Sequence, residues 1–183
     1  ENTVKLQSQS TYFWDSGAWH MAWNIAYAER IGTNGATVGQ ALTRERYWHQ
    51  RGRAFLERGL QNIPNRFDLY FKLGWLHERK LTSDCAGNPA CEKAEYARAA
   101  ELFAIASEYP NAPAYVARDV ARCLEKAGDL RAAYDYWVNK IWRGDRRIRN
   151  DLDRAIVARE IRRLEERLDI PPTSRLFPKA AAK

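Results

Sequence analysis

Two cysteines six positions apart are the first chemistry the chain offers. Cys85 and Cys91 flank Ala86-Gly87-Asn88-Pro89-Ala90, a stretch of loop-forming residues short enough to bring two sulfurs together. Such a bond would stabilise the loop by about 2 kcal/mol and would put the protein in an oxidising space such as a periplasm. Two free thiols in a cytosolic loop are the plainer alternative. A zinc site would need two more ligands, which the sequence does not place nearby. Cys123 lies in an apolar helical pattern, as a core residue does. His20, His49 and His77 are far apart and show none of the spacings that announce a metal site. The chain has no phosphate loop, nucleophile elbow or haem-attachment motif. Its carboxylates sit beside Arg or Lys on helix faces. The expectation is a protein that is not an enzyme, with no catalytic residue, metal, cofactor or small-molecule substrate.

The elements that must position these residues are helices. With 183 residues there is enough chain for one domain with a sizeable core. Seven Trp and nine Tyr argue against disorder over most of it. No run approaches the 18 apolar residues, roughly, that a membrane span needs. A start at Glu1 rather than Met fits a processed mature protein or a trimmed segment, with any signal or anchor upstream. The net charge is +7, and from Arg143 onward twelve Lys/Arg face seven Asp/Glu. The basic patch Arg143, Arg146, Arg147 and Arg149 could attract nucleic acid, anionic lipid or an acidic protein surface. A well-solvated Arg/Glu helix face is the other reading. Arg143-Gly144-Asp145 reads as a turn.

A period is present. Tyr96, Ala99 and Phe103 recur as Leu130, Ala133 and Trp137 at a shift of 34 residues. A small residue followed one turn later by a large ring lets two helices cross closely. Earlier, His49, Gly52, Leu56 and Gly59 match Tyr96, Ala99, Phe103 and Ala106 at a shift of 47, and Trp23, Ile25 and Ala26 match Phe71, Leu73 and Gly74 at 48. The extra residues fall around Arg30 to Thr43 and Lys80 to Glu92, and predict two long inter-helix loops lying side by side.

On these residues the chain resembles a tetratricopeptide repeat protein, whose helix–turn–helix unit is 34 residues long. Leu73-Gly74 fits the Leu-Gly pair of that motif's first helix, and Ala99, Phe103 and Ala106 fit its second helix. Gly128-Asp129 fits the turn, and Pro64 and Pro110 lie near the closing Pro. Ala121 departs from the motif's Gly, and Gly52 and Gly59 depart from its Ala. The segment Ala22-Trp23-Asn24-Ile25-Ala26-Tyr27 is similar to aromatic-rich repeats in exported bacterial proteins of this class. The resemblance implies an all-α solenoid of about three repeats, over 16–61, 67–108 and 112–142. Helices are expected at 16–30, 41–61, 67–82, 92–108, 112–127 and 130–142. A capping helix at 151–168 would carry an apolar stripe of Leu152, Ile156, Ile161, Leu164 and Leu168. Its polar outer face would hold Arg154, Arg162, Arg163, Glu165 and Glu166. Residues 170–183 form an extended tail beyond a single domain spanning 1–169.

The resemblance also implies a concave groove lined by the first helix of each repeat. By phase, its residues are His20, Trp23, Asn24 and Tyr27, then Phe71, Lys72, Trp75 and Arg79, then Arg118, Arg122 and Lys126. Such a groove runs from aromatic to basic and suits a peptide with apolar and acidic residues. Core packing is the competing role for Trp23 and Trp75. Some members of the class grip a terminal carboxylate with paired Lys and Asn, of which only Asn24 and Lys72 match. The apolar N-terminal run Tyr12-Phe13-Trp14, with Trp19, needs a cover from upstream residues or a partner. The function expected is a scaffold or accessory subunit of an extracytoplasmic assembly whose partners are other protein subunits. The alternatives are nucleic-acid binding and docking on an anionic membrane surface.

Overall fold

Local sequence signals place the helix ends. The computed structural model describes residues 9–32, 35–144 and 151–177, and among them the chain is helical with no strand. Helix α1 runs unbroken through Thr11–Trp19, His20–Ile25 and Ala26–Ile31. Helix α2 is Val38–Asn62, opened by a capping box in which Thr37 accepts from the Gln40 N–H and Gln40 accepts from the Thr37 N–H. Helix α3 comprises Phe67–Leu76, His77–Leu81 and Thr82–Asp84. Helix α4, Pro89–Ser107, starts with Asn88 capping the Cys91 N–H and Pro89 in the first turn. Helix α5, Ala114–Ala127, ends at Gly128, whose φ of 96° needs a residue without Cβ. The Asp129 N–H then reaches back to the Leu124 carbonyl, and the Asp129 carboxylate caps the Ala132 N–H to open α6. Helix α6 is Leu130–Asp135 with Tyr136–Trp142, and α7 is Asp151–Arg167.

Three of these helices carry a wide turn with i→i+5 hydrogen bonding, at His20–Ile25, His77–Leu81 and Tyr136–Trp142. A wide turn takes up an extra residue and rotates everything after it relative to a 3.6 period.

Short connections fold each helix back beside the one before it. α1 packs on α2, α2 on α3, α3 on α4, α4 on α5, α5 on α6, and α6 on α7; α1 also touches α3. Close approach is set by missing side chains. A Cβ on Gly59 would lie 2.9 Å from the Trp14 ring, and one on Gly74 would lie 2.9 Å from Phe103. Gly59 leaves room for the fully buried indole that α1 sends against it. The interior divides into an α1/α2/α3 cluster around Trp14, Leu56 and Leu73, an α4/α5 cluster around Phe103, and an α5/α6/α7 cluster around Trp137 and Ile161.

Several expectations are corrected. The residues that lengthen the early period go mainly into helix: the α1–α2 connection is 32–37 and the α3–α4 connection 85–88, so neither is a long loop. α1 begins at Thr11 and takes in Trp14, which is 1% exposed, while Tyr12 stays 70% exposed. On α7, Leu152 is 72% exposed and Val157 and Ala158 are buried instead. Glu165, expected on the outer polar face, is fully buried. Arg163 and Arg167 both bond to Glu125 of α5, so that face is partly spent on tying α7 down. Residues 170–177 turn back onto α6 and α7 rather than extending away.

Candidate functional site

The residues read from the helix phase assemble along a line of contacts through α1, α3, α5 and α7. It starts with indoles. Trp19 and Trp23 of α1 stack with centroids 4.7 Å apart and planes 4° apart. Trp75 of α3 stacks against both, at 5.5 Å and 5.2 Å. Such offset pairs contribute about 0.5–1.5 kcal/mol each beyond the area they bury. Trp19 is 37% exposed and the other two are half-buried, so the stack is a surface feature. Lys72 lies over the Trp75 ring at 5.8 Å and pairs with Asp15 at 3.2 Å. Lys80 lies over Trp23 at 5.3 Å, and burial lowers its pKa. A narrow cleft descends between Trp19, Trp75 and the Asp15–Lys72 pair to reach Leu56 of α2. Tyr27 continues the aromatic surface at 59% exposure. His20 and Asn24 hydrogen-bond each other at 2.8 Å on the same exposed stretch.

Further along, the face becomes charged. Phe71 bridges the two parts, packing on Phe103 and meeting Tyr115 edge-on. Lys126 of α5 donates to Glu78 of α3 at 2.7 Å and lies over Tyr96 at 5.0 Å. Arg79 sits 3.8 Å from Glu78, and Arg122 sits 3.5 Å from Asp119. Arg118 reaches α7, donating to Asp153 at 3.0 Å. Burial, with Glu78 nearby, pushes the Asp119 carboxyl up to about 6 despite the adjacent arginines. The expected basic run is thus interleaved with Glu78, Asp119 and Asp153, so its positive charge is largely compensated within the protein.

Two buried histidines lie behind this face, each paired with a carboxylate on another helix. His49 Nδ1 and Asp84 Oδ1 are 2.8 Å apart, joining α2 to the end of α3. His77 Nδ1 and Glu95 Oε2 are 2.5 Å apart, joining α3 to α4. Burial lowers the His77 pKa in spite of Glu95. Cys85 and Cys91 are disulfide-bonded, with Cα atoms 5.5 Å apart, and the bond fastens the end of α3 to the first turn of α4 beside Asp84. Cys123 is a buried free thiol whose pKa burial pushes up to about 12, far from a reactive thiolate. Among the described residues no three His, Cys, Asp or Glu side chains converge as a metal site, and no helix is long and apolar enough to cross a membrane.

Arg143 follows α6 and donates to Asn139 at 3.2 Å. Arg146, Arg147 and Arg149 lie outside the described residues. Helix phase missed Trp19, Glu78, Asp119 and Asp153 as members of the face. The i,i+4 spacing of Trp19 and Trp23 was a usable signal for the first. Asp119 stands i,i+3 from Arg122 on the same helix, whereas Glu78 and Asp153 needed the partner helix. Compared with protein-family models, with curated proteins and with solved structures, the chain gives no match.

Proposed function

We propose that this chain is a non-catalytic scaffold or accessory subunit, a tetratricopeptide-like solenoid that holds another protein on the face shared by α1, α3, α5 and α7. The observation that carries the reading is the half-exposed stack of Trp19, Trp23 and Trp75 with a cleft at its foot. A rigid aromatic cluster left open at the surface is what a partner's apolar side chain packs against, and Trp is enriched at such hot spots. Trp19 stacks on Trp23 and Trp75 and still leaves 37% of its surface open, so part of the indole stays available to a partner. The disulfide supports an extracytoplasmic setting. Nucleic-acid and membrane-surface binding would use the basic C-terminal region, in which Arg163 is engaged by Glu125 and Glu160 and Arg146, Arg147 and Arg149 lie outside the described residues.

Cross-linking mass spectrometry on the native protein tests this. The expected result is partner cross-links from Lys72 and Lys80, lost when Trp19 is replaced by Ala in a protein of unchanged helicity. A monodisperse monomer with no co-purifying partner would overturn it.

A further inference from the structure

The last described stretch of the chain is seated rather than loose, and its seat has the chemistry of a peptide-binding cleft. α7 closes on its own: the Asp169 N–H bonds the Glu166 carbonyl at 3.2 Å and the Ile170 N–H bonds the Glu165 carbonyl at 3.0 Å, with Asp169 at φ 50°. Pro171 to Ser174 are exposed and form one tight turn. Contact resumes at Leu176, whose N–H donates to Glu165 Oε1 at 2.5 Å. Phe177 meets Trp142 edge-on at 4.9 Å, and the Arg162 guanidinium covers its ring at 5.0 Å. Arg175 bonds the Ile170 carbonyl, inside the segment itself.

Glu165 is the unusual member. It is fully buried among Tyr134, Trp137 and Ile161, where an apolar side chain would pack without a desolvation cost. Its Oε1 accepts from the Leu176 N–H and from the Tyr134 hydroxyl at 3.3 Å, and its Oε2 is buried without a hydrogen-bond partner. A buried acceptor aimed at a main-chain N–H, flanked by seats for an aliphatic and an aromatic side chain, reads an extended backbone.

We propose that the cleft between α6 and α7 binds an extended aliphatic–aromatic segment of a partner protein, and that Leu176-Phe177 is a built-in stand-in which the partner displaces. The stand-in supplies the ligand's chemistry: one N–H for Glu165, one aliphatic side chain for the cluster, and one ring for Trp142 and Arg162. It can leave by rotation ahead of Pro171 without opening α7, because the helix end is closed by its own carbonyl bonds. This site is separate from the aromatic face and stands whether or not that face binds anything.

The test has two arms. In native-state amide exchange on the unaltered chain, the Leu176 N–H is expected to exchange about 100-fold faster than the Ile161 N–H, as a locally opening segment does. Equal protection would make the segment part of the core and overturn the proposal. In the second arm, a labelled peptide of residues 170–177 is titrated by fluorescence polarisation. It is expected to bind the Leu176→Gly/Phe177→Gly variant at least 10-fold more tightly than the intact protein, and to lose that binding when Glu165→Leu is added. No binding by a variant of native helicity, equal binding to both proteins, or failure of the double variant to fold would each overturn it. Concentration-dependent self-association of the intact protein through this cleft would assign the seat to a second copy and overturn the partner.

Discussion

The two ends of the face across α1, α3, α5 and α7 solve opposite problems. At the α1–α3 end, Trp19, Trp23 and Trp75 stack on one another and leave apolar surface open, with only Lys72 and Lys80 laid across the rings. At the α5–α7 end, Arg118, Arg122 and Lys126 are matched to Asp153, Asp119 and Glu78. The aromatic end has unspent surface to offer a partner, and its indole stacking does not weaken with salt. The charged end has satisfied itself, and a newcomer there must replace contacts already made. Under the proposed reading affinity is expected from the indoles, while the Arg118–Asp153 and Lys126–Glu78 pairs tie neighbouring helices together.

The largest effect that separates the two ends is on stability. Trp75→Ala removes a ring that touches two other indoles and walls the cleft, and should cost about 3 kcal/mol in urea unfolding. A cost below about 1 kcal/mol would mean that the stack is an ornament of the surface rather than part of the α1–α3 joint. Next is Gly74→Ala, directly behind the face, where the new methyl meets Phe103 at 2.9 Å. Overpacking of this kind should cost about 2 kcal/mol, and a Gly74→Ala/Phe103→Leu double variant should recover part of it.

Acidity acts on the two halves with opposite signs. His77, behind the aromatic half, has its pKa lowered by burial, so the unfolded chain takes up its proton first and stability falls as pH drops below about 6.5. Asp119, in the charged half, has its pKa raised to about 6, so the folded chain takes up its proton first. Its penalty is full above that pH and is relieved as pH falls toward the ordinary carboxylate value of about 3.9. Asp119→Asn should therefore lose more stability between pH 7 and pH 5 than the unaltered protein does. Identical losses in thermal melts would show that Asp119 is not desolvated. The smallest effect is Lys126→Ala, at about 0.5 kcal/mol and fading in high salt, because its pair with Glu78 is partly exposed. A cost as large as that of Trp75→Ala would invert the comparison.

Much of the architecture was open to a reader of the chain. Gly128-Asp129 announced the α5–α6 turn, and the Ala99/Phe103 and Ala133/Trp137 pairs announced close crossings. The Cys85–Cys91 spacing allowed the bond that forms, while Asn88-Pro89, read as loop, caps and opens α4. Of the candidate face, Trp23 and Trp75 were found and brought together, while Trp19 and Glu78 were not. Trp19 could have been read from its i,i+4 spacing to Trp23, whereas Glu78 joins the face through Lys126 of α5, 48 residues away in the chain. The early insertions were misread as loops for a related reason. Residues around Lys80 to Asp84 are poor in apolar pattern, yet helix α3 continues through them because Asp84 is held by buried His49 across the α2–α3 joint.

By itself the sequence determined that the chain is helical, the α5–α6 turn and the small-beside-large pairs, and it allowed the disulfide, because each depends on residues close together in the chain. Only tertiary structure decided the rest. Glu165 became a buried acceptor because residues 170–177 fold over it, and the basic run lost its free charge because carboxylates arrive from neighbouring helices. Burial and charge compensation belong to pairs of groups, and local pattern does not say which distant partner a helix will meet.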